Sequence, residues 1–178
     1  MLIDRIIGAF TFRKGVYAEV ERDTSFTQTA WIIVAVVAFL NQLGAYPELG
    51  FAGWIVGAIV GTITTIIGFA IAAFIVNWVG RMVFNADVTF NEMVRTLGLA
   101  YVWSVVGVLG VLGFIPALLC LVTPILIVAG IAGLIAWFIA AKEALDLEWL
   151  QTIITVVLGW LAILILNLVT QAIMRLIF

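Results

Sequence analysis

Five long apolar runs separated by short polar breaks dominate the chain, at about residues 27–45, 51–79, 97–115, 120–141 and 152–174. Each is close to the ~20 residues that an α-helix needs to cross a bilayer. The expected fold is therefore all-α, a polytopic transmembrane bundle of five helices preceded by one or two short amphipathic interfacial helices. Leu2, Ile3, Ile6, Ile7 and Phe10 recur at helical spacing with Asp4 and Arg5 off that face. Such a helix lies along the membrane surface or packs on the protein's own bundle. Val16, Tyr17 and Val20, beside Glu19, Glu21, Arg22 and Asp23, predict a second short helix. Residues 1–26 thus read as an amphipathic N-terminal segment and 27–178 as the transmembrane domain.

The breaks between runs carry their own chemistry. Ser25-Phe-Thr-Gln28 has the form of a capping box, in which a side chain at each end of the first turn satisfies an otherwise orphaned amide. Asn41 and Gln42, near the end of the first run, are expected at the far interface or bonded to a neighbouring helix. Tyr46 to Gly50 reads as a tight turn. The second run exceeds what the hydrocarbon needs, which implies tilt. It carries Gly53, Gly57 and Gly61 at four-residue spacing, which leaves a groove where another backbone can approach, from this chain or from a partner. Thr62, Thr64 and Thr65 can bond back to their own helix.

Gly80 to Arg95 is the longest polar interruption between the first and last apolar runs. Asn85-Ala86-Asp87 supplies turn chemistry, and Thr89-Phe-Asn-Glu92 forms a second capping box that starts the third helix. Leu97 to Ala141 is too long for one span and suits two. Its turn is expected between Gly113 and Pro124, because Gly110, Gly113, Pro116 and Thr123-Pro124 supply the punctuation.

Composition sharpens the solvent. Of 178 residues, 66% are hydrophobic and 10% charged, against roughly half and a quarter in soluble domains. The net charge of −2 and the lack of a basic tract give no reason to expect nucleic acid as a partner. Histidine is absent and Cys120 is the sole cysteine. Intrachain disulfides, thiol zinc sites, imidazole-ligated cofactors and histidine-based triads are thereby excluded. Asp4 and Arg5 interrupt the first apolar stretch and no small-residue cleavage site follows, so no signal peptide is expected and the mature chain is expected to start at Met1. With five spans, Arg5, Arg13, Lys14, Arg22, Arg81, Arg95 and Lys142 share one side and only Arg175 lies opposite. The positive-inside rule then puts the N-terminus in the cytoplasm and the C-terminus outside.

Three stretches resemble the Yip1 domain family of five-span membrane proteins. Tyr17-Ala-Glu-Val-Glu-Arg-Asp23 is similar to that family's helix before the first span. Asp87-Val-Thr-Phe-Asn-Glu-Met-Val-Arg-Thr-Leu-Gly-Leu-Ala-Tyr101 is similar to its lead into the third. Ala136-Trp-Phe-Ile-Ala-Ala-Lys-Glu-Ala-Leu-Asp146, with Val157-Leu-Gly-Trp160, is similar to the end of the fourth and start of the fifth. The resemblance implies a bacterial-type relative in a cytoplasmic membrane. Eukaryotic relatives that act with Rab-type GTPases carry an Asp-Leu-Tyr-Gly-Pro motif. This chain lacks it, so such a GTPase is not an expected partner.

An enzyme is not expected. Glu143 and Asp146 read as solvated charges, while capping and turn roles account for Asp87 and Glu92; no catalytic, cofactor or metal residue is assigned. An ion-coupled transporter needs ionisable groups inside the membrane. The span cores carry none, and Asn77, Asn167 and Gln171 suit interhelical bonding. The expected role is a non-enzymatic membrane-organising or accessory subunit that packs against lipids and other integral membrane proteins or its own copies. An oligomeric passive transporter or channel is the alternative. Gly53, Gly57 and Gly61 are the candidate helix-packing face, and Arg81, Asp87, Glu92 and Arg95 the candidate cytoplasmic partner surface.

Overall fold

The computed structural model describes residues 1–45 and 50–177. Its elements are α1 (Leu2–Phe10), α2 (Val16–Arg22), α3 (Phe26–Leu43), α4 (Gly50–Phe84), α5 (Phe90–Ala100), a 3₁₀ segment (Tyr101–Phe114), α6 (Pro116–Leu145) and α7 (Trp149–Ile177). Five stretches are long and apolar enough to cross a membrane: α3, α4, α5 with its 3₁₀ continuation, α6 and α7. Residues 46–49 of the expected tight turn lie outside the described residues. The chain alternates direction, so α1, α2, the α4–α5 connection and the α6–α7 turn gather at one charged end. Apart from Glu48 and Arg175, every charged residue belongs to these segments or to the helix turns beside them.

Helix ends follow local chemistry. Asn85 closes α4 in the left-handed region at φ 55, and the Ala86 amide returns to the Gly80 carbonyl at 2.9 Å. Asn tolerates that conformation better than most residues. Thr89 and Glu92 form the expected capping box on α5: the Glu92 amide donates to Thr89 Oγ1 at 3.3 Å and the Thr89 amide to Glu92 Oε2 at 2.7 Å. The Ser25 box does not form. Ser25 makes no side-chain cap on α3; its hydroxyl donates to Asp23 Oδ1 at 2.5 Å and its amide to the same oxygen at 3.1 Å. Asp23 also takes Arg5 Nη1 at 2.7 Å. The carboxylate, as the stronger acceptor, wins the local competition for donors.

The third span departs furthest from expectation. It turns from α to 3₁₀ geometry at Tyr101 and holds it for 14 residues, whereas such runs seldom exceed a turn or so. The sequence explains the choice. Ser104, Gly107, Gly110 and Gly113 recur every third residue, separated by Val and Leu. Only a helix of three residues per turn stacks them into one smooth strip. That strip lies on the end of α3. A Cβ at Gly110 would overlap the Gly44 carbonyl, and one at Gly107 would overlap the Asn41 amide nitrogen. At ~2.0 Å per residue the segment covers roughly 28 Å, nearly the hydrocarbon thickness. The turn into α6 falls at Ile115, with Pro116 in the first turn, while Pro124 is absorbed inside the helix.

Aromatic rings tie the spans together. Phe69 of α4 meets Trp31 of α3, Tyr101 of the 3₁₀ segment and Trp137 of α6, with centroids 5.6, 5.9 and 6.1 Å away. Trp137 then reaches Trp160 of α7 at 6.2 Å. Helices α4 and α7 pair through small residues; a Cβ at Gly159 would stand 3.2 Å from the Ala72 carbonyl. Outer faces are apolar along their length, as lipid requires: Ile59, Ile63, Ile67 and Phe74 on α4, and Leu161, Ile165 and Leu168 on α7, are all exposed.

The glycine strip makes a matched test. Gly110→Ala forces the 3₁₀ segment off α3 and is expected to lower the thermal unfolding temperature in detergent, by an overpacking cost of about 1–3 kcal/mol. Gly130→Ala on α6, where a Cβ would meet nothing within 4 Å, is expected to leave it unchanged.

Candidate functional site

The charged end is assembled around α5. Every residue from Met93 to Ala100 is buried, because α1, α2, α3, α4 and α6 all pack on this helix. Arg95 is 4% exposed. Its Nε and Nη2 both donate to the Glu21 carbonyl, the former at 2.9 Å, and Nη1 donates to Thr27 Oγ1 at 3.2 Å. Glu21 lies in the last turn of α2, where unpaired carbonyls and the helix dipole favour a cation. Glu92 Oε1 stands 3.8 Å from Nη2 and supplies the opposite charge. Arg95 is therefore not part of an exposed partner surface, contrary to expectation: its guanidinium is consumed in joining α5 to the α2–α3 junction. Glu92 is half-buried and held in its capping box, whereas Arg81 and Asp87 are exposed.

Other polar side chains also serve the backbone. Asn77 Nδ2, buried in α4, donates to the Val88 carbonyl at 3.0 Å and fixes the connection into α5. Lys142 Nζ donates to the Leu147 carbonyl at 3.2 Å and lies over the Trp149 ring at 5.4 Å. Glu21, Glu92, Glu143 and Asp146 are near enough that their mutual repulsion, after burial itself, raises the Glu21 carboxyl above its usual range, with Arg22 opposing. Asp23 is lowered, first by its bond from Ser25 and then by that from Arg5. Among the described residues no group of three His, Cys, Asp or Glu is placed to hold a metal.

Helix α1 packs on the protein's own bundle. Ala9 is buried, Ile6 and Phe10 pack on the core, and Trp103 donates to the Ala9 carbonyl at 3.3 Å. Leu2, Ile3 and Ile7 remain exposed on the outer side. Gly53, Gly57 and Gly61 are all buried within this one chain. At Gly61 the reason is visible: the Gln42 amide lies against the bare α4 backbone and donates to Thr65 Oγ1 at 3.0 Å. Thr62 bonds back to the Ala58 carbonyl at 2.6 Å, as expected, whereas Thr65 serves Gln42 instead. Asn41 Nδ2 donates to the Ser104 carbonyl at 2.7 Å. Both amides of α3 thus bond neighbouring helices.

Sequence reasoning missed a cavity of about 500 Å³ between the 3₁₀ segment, α6 and α7. Trp103, Trp137 and Trp160 are in its walls, Ala129, Gly130 and Gly133 leave it room, and Asn41, Tyr101, Ser104 and Asn167 supply its polar atoms. No single run announces it, since its lining comes from five separate helical elements. The signal available was small residues on α6 at a spacing that no neighbouring glycine face answers.

The Yip1 domain family model matches residues 7–170. The chain belongs to the Yip1 domain family. It is an integral membrane protein, and the family is a non-enzymatic one. No curated protein and no solved structure matches the chain. The match takes in α2, the buried Arg95 helix and the cavity walls alike, so these features lie within the domain itself.

Three substitutions at two residues probe the charged end. Arg95→Ala removes three donors from part-buried acceptors and is expected to cost about 3 kcal/mol in unfolding measurements. Arg95→Lys, lacking the planar fork, recovers less than half of that. The raised Glu21 carboxyl favours its protonated form in the fold. Its stabilising contribution is complete below the ordinary value of 4.5 and is lost as pH rises through the higher folded value. Glu21→Gln should therefore raise the unfolding temperature at neutral pH, and the gain should vanish below about pH 4.5.

Proposed function

We propose that this Yip1-family protein is a membrane-organising or accessory subunit that acts without catalysis, packing its spans against lipid and partner membrane proteins and presenting its charged end to the cytoplasm. One observation carries the reading. The charged end is a single knitted platform whose internal bonds run mostly to backbone, while the spans offer apolar outer faces to the bilayer. Seven backbone-directed contacts, from Arg95, Asn77, Lys142, Trp103 and the Thr89 box, hold the platform in shape. A preorganised surface of that kind suits docking, since little ordering is left to do on binding. Arg81 and Asp87 stay exposed on it and are the residues offered to a partner. The orientation rests on lysine and arginine counts, all of which favour the platform side except Arg175. A bacterial cytoplasmic membrane is the proposed location. A Rab-type GTPase is left out of the proposal because its motif is missing.

Helix α6 supports assembly in the membrane plane. Only 11% of its apolar window is buried inside the chain, against 39% for α3 and 33% for α4. Its outer half therefore has the most surface to give to lipid or to another protein.

Gentle extraction followed by native gel and mass spectrometry is expected to show the chain with stoichiometric partners or copies, and Arg81→Glu with Asp87→Lys to weaken any partner bound to the platform. Gly57→Leu, at a buried position, is expected to lower stability and leave assembly unchanged. Movement of a solute or ion into liposomes above empty-vesicle controls by the purified chain alone would overturn the scaffold reading in favour of a passive pore.

A further inference from the structure

The cavity between α6 and α7 combines features that simple helix packing does not explain. Small residues in membrane helices ordinarily let two backbones meet. At Gly130 none does: a Cβ there would have no neighbour within 4 Å, and at Gly133 the nearest atom would be Trp103 Cβ at 3.2 Å. The space these residues leave is the cavity itself. Its volume, about 500 Å³, falls in the ~300–1,000 Å³ range of small-molecule sites. Measured along the helices at ~1.5 Å per residue, Trp137 lies roughly 12 Å from Leu145 and Asn167 roughly 27 Å from Trp149. The cavity therefore sits at membrane depth, beside the poorly covered outer half of α6.

Its lining defines the occupant. Aromatic rings and aliphatic side chains form most of the wall, and the lining includes no Asp, Glu, Lys or Arg. The polar atoms come from amides and hydroxyls. Asn41 uses one amide hydrogen on the Ser104 carbonyl, which leaves the second hydrogen and the amide oxygen for a ligand. Tyr101 and Ser104 add hydroxyls with donor and acceptor capacity. A charged headgroup would find no counter-ion at this depth. A purely hydrocarbon tail would leave the second amide hydrogen and the amide oxygen of Asn41 unanswered.

We propose that this cavity binds one uncharged lipid, a long apolar chain ending in a hydroxyl or carbonyl group, which enters sideways from the bilayer between α6 and α7. The terminal group bonds Asn41 and Ser104, and the chain lies along Trp137 and Trp160. This deepens the lipid half of the proposed function. Partner co-purification tests the scaffold reading and lipid capture tests this one, so either can fail alone.

The test uses the full chain in nanodiscs, irradiated with a diazirine-bearing monoacylglycerol or, in parallel, a diazirine-bearing phosphatidylglycerol. Monoacylglycerol adducts are expected on the α6 and α7 peptides that contain Leu126 to Trp137 and Trp160 to Asn167, and excess unlabelled monoacylglycerol should compete them away. Gly130→Phe and Leu126→Trp, each filling the space, should cut that labelling by roughly tenfold while the melting temperature stays at that of the parent. Equal labelling by the two probes, or labelling that the filling variants do not change, would mean contact with bulk lipid only and would overturn the site.

Discussion

A buried guanidinium on a helix C-terminus holds the charged end of this protein together. Arg95 reaches the Glu21 carbonyl through two nitrogens and Thr27 through a third. One side chain thus fixes the end of α2, the start of α3 and the middle of α5. The arrangement depends on the fork geometry of arginine, since a lysine ammonium cannot address one carbonyl with two coplanar donors and still reach a hydroxyl. It also depends on Glu92, which caps α5 by its side chain and brings a negative charge toward the same guanidinium. Once α5 is pinned, its buried run from Met93 to Ala100 becomes the surface on which α1, α2, α3, α4 and α6 meet.

That pinned helix hands over to a segment with a different pitch. The triplets Ser-Val-Val, Gly-Val-Leu and Gly-Val-Leu from Ser104 to Leu112 put a small residue on the same side at every third position. In α geometry residues three apart drift round the axis by ~60° per step, so the small positions would leave the α3 face within a few steps. In 3₁₀ geometry they stack, and the gain is continuous contact with the end of α3, where Gly44 and Asn41 wait. Packing overrides the usual penalty for a long 3₁₀ run.

The spans and the charged end were legible in the sequence because hydropathy and charge are properties of single residues summed over a window. The Thr89 capping box was legible for a similar reason: its partners lie within one turn. The Ser25 box failed because Asp23, two residues upstream, is a stronger acceptor than the pattern S-x-x-Q takes into account. Arg95 was misplaced on the surface because its partner, the Glu21 carbonyl, is 74 residues away and is backbone, which no side-chain pattern reveals. Gly53, Gly57 and Gly61 are buried, yet spacing alone is blind to what meets them, which at Gly61 is the Gln42 side chain. The cavity was invisible for the same reason in stronger form, since it is defined by where no backbone arrives.

The cavity follows from the two packing solutions on either side of it. Helices α4 and α7 close on each other through Gly68, Ala72 and Gly159, with a Cβ at Gly159 already within contact of Val76. Helix α6 instead leans on the 3₁₀ segment, anchored at the charged end by Ala136, Ala140 and Leu145, all buried. Helix α7 packs mainly on α4 and α6 mainly on the 3₁₀ segment, while α6 and α7 touch through Trp137 and Trp160. Bulky residues on α6 would fill the resulting gap, as cores normally are filled. Ala129, Gly130 and Gly133 occupy those positions instead, and the space they leave is bordered by the Asn41 amide and the Tyr101 and Ser104 hydroxyls.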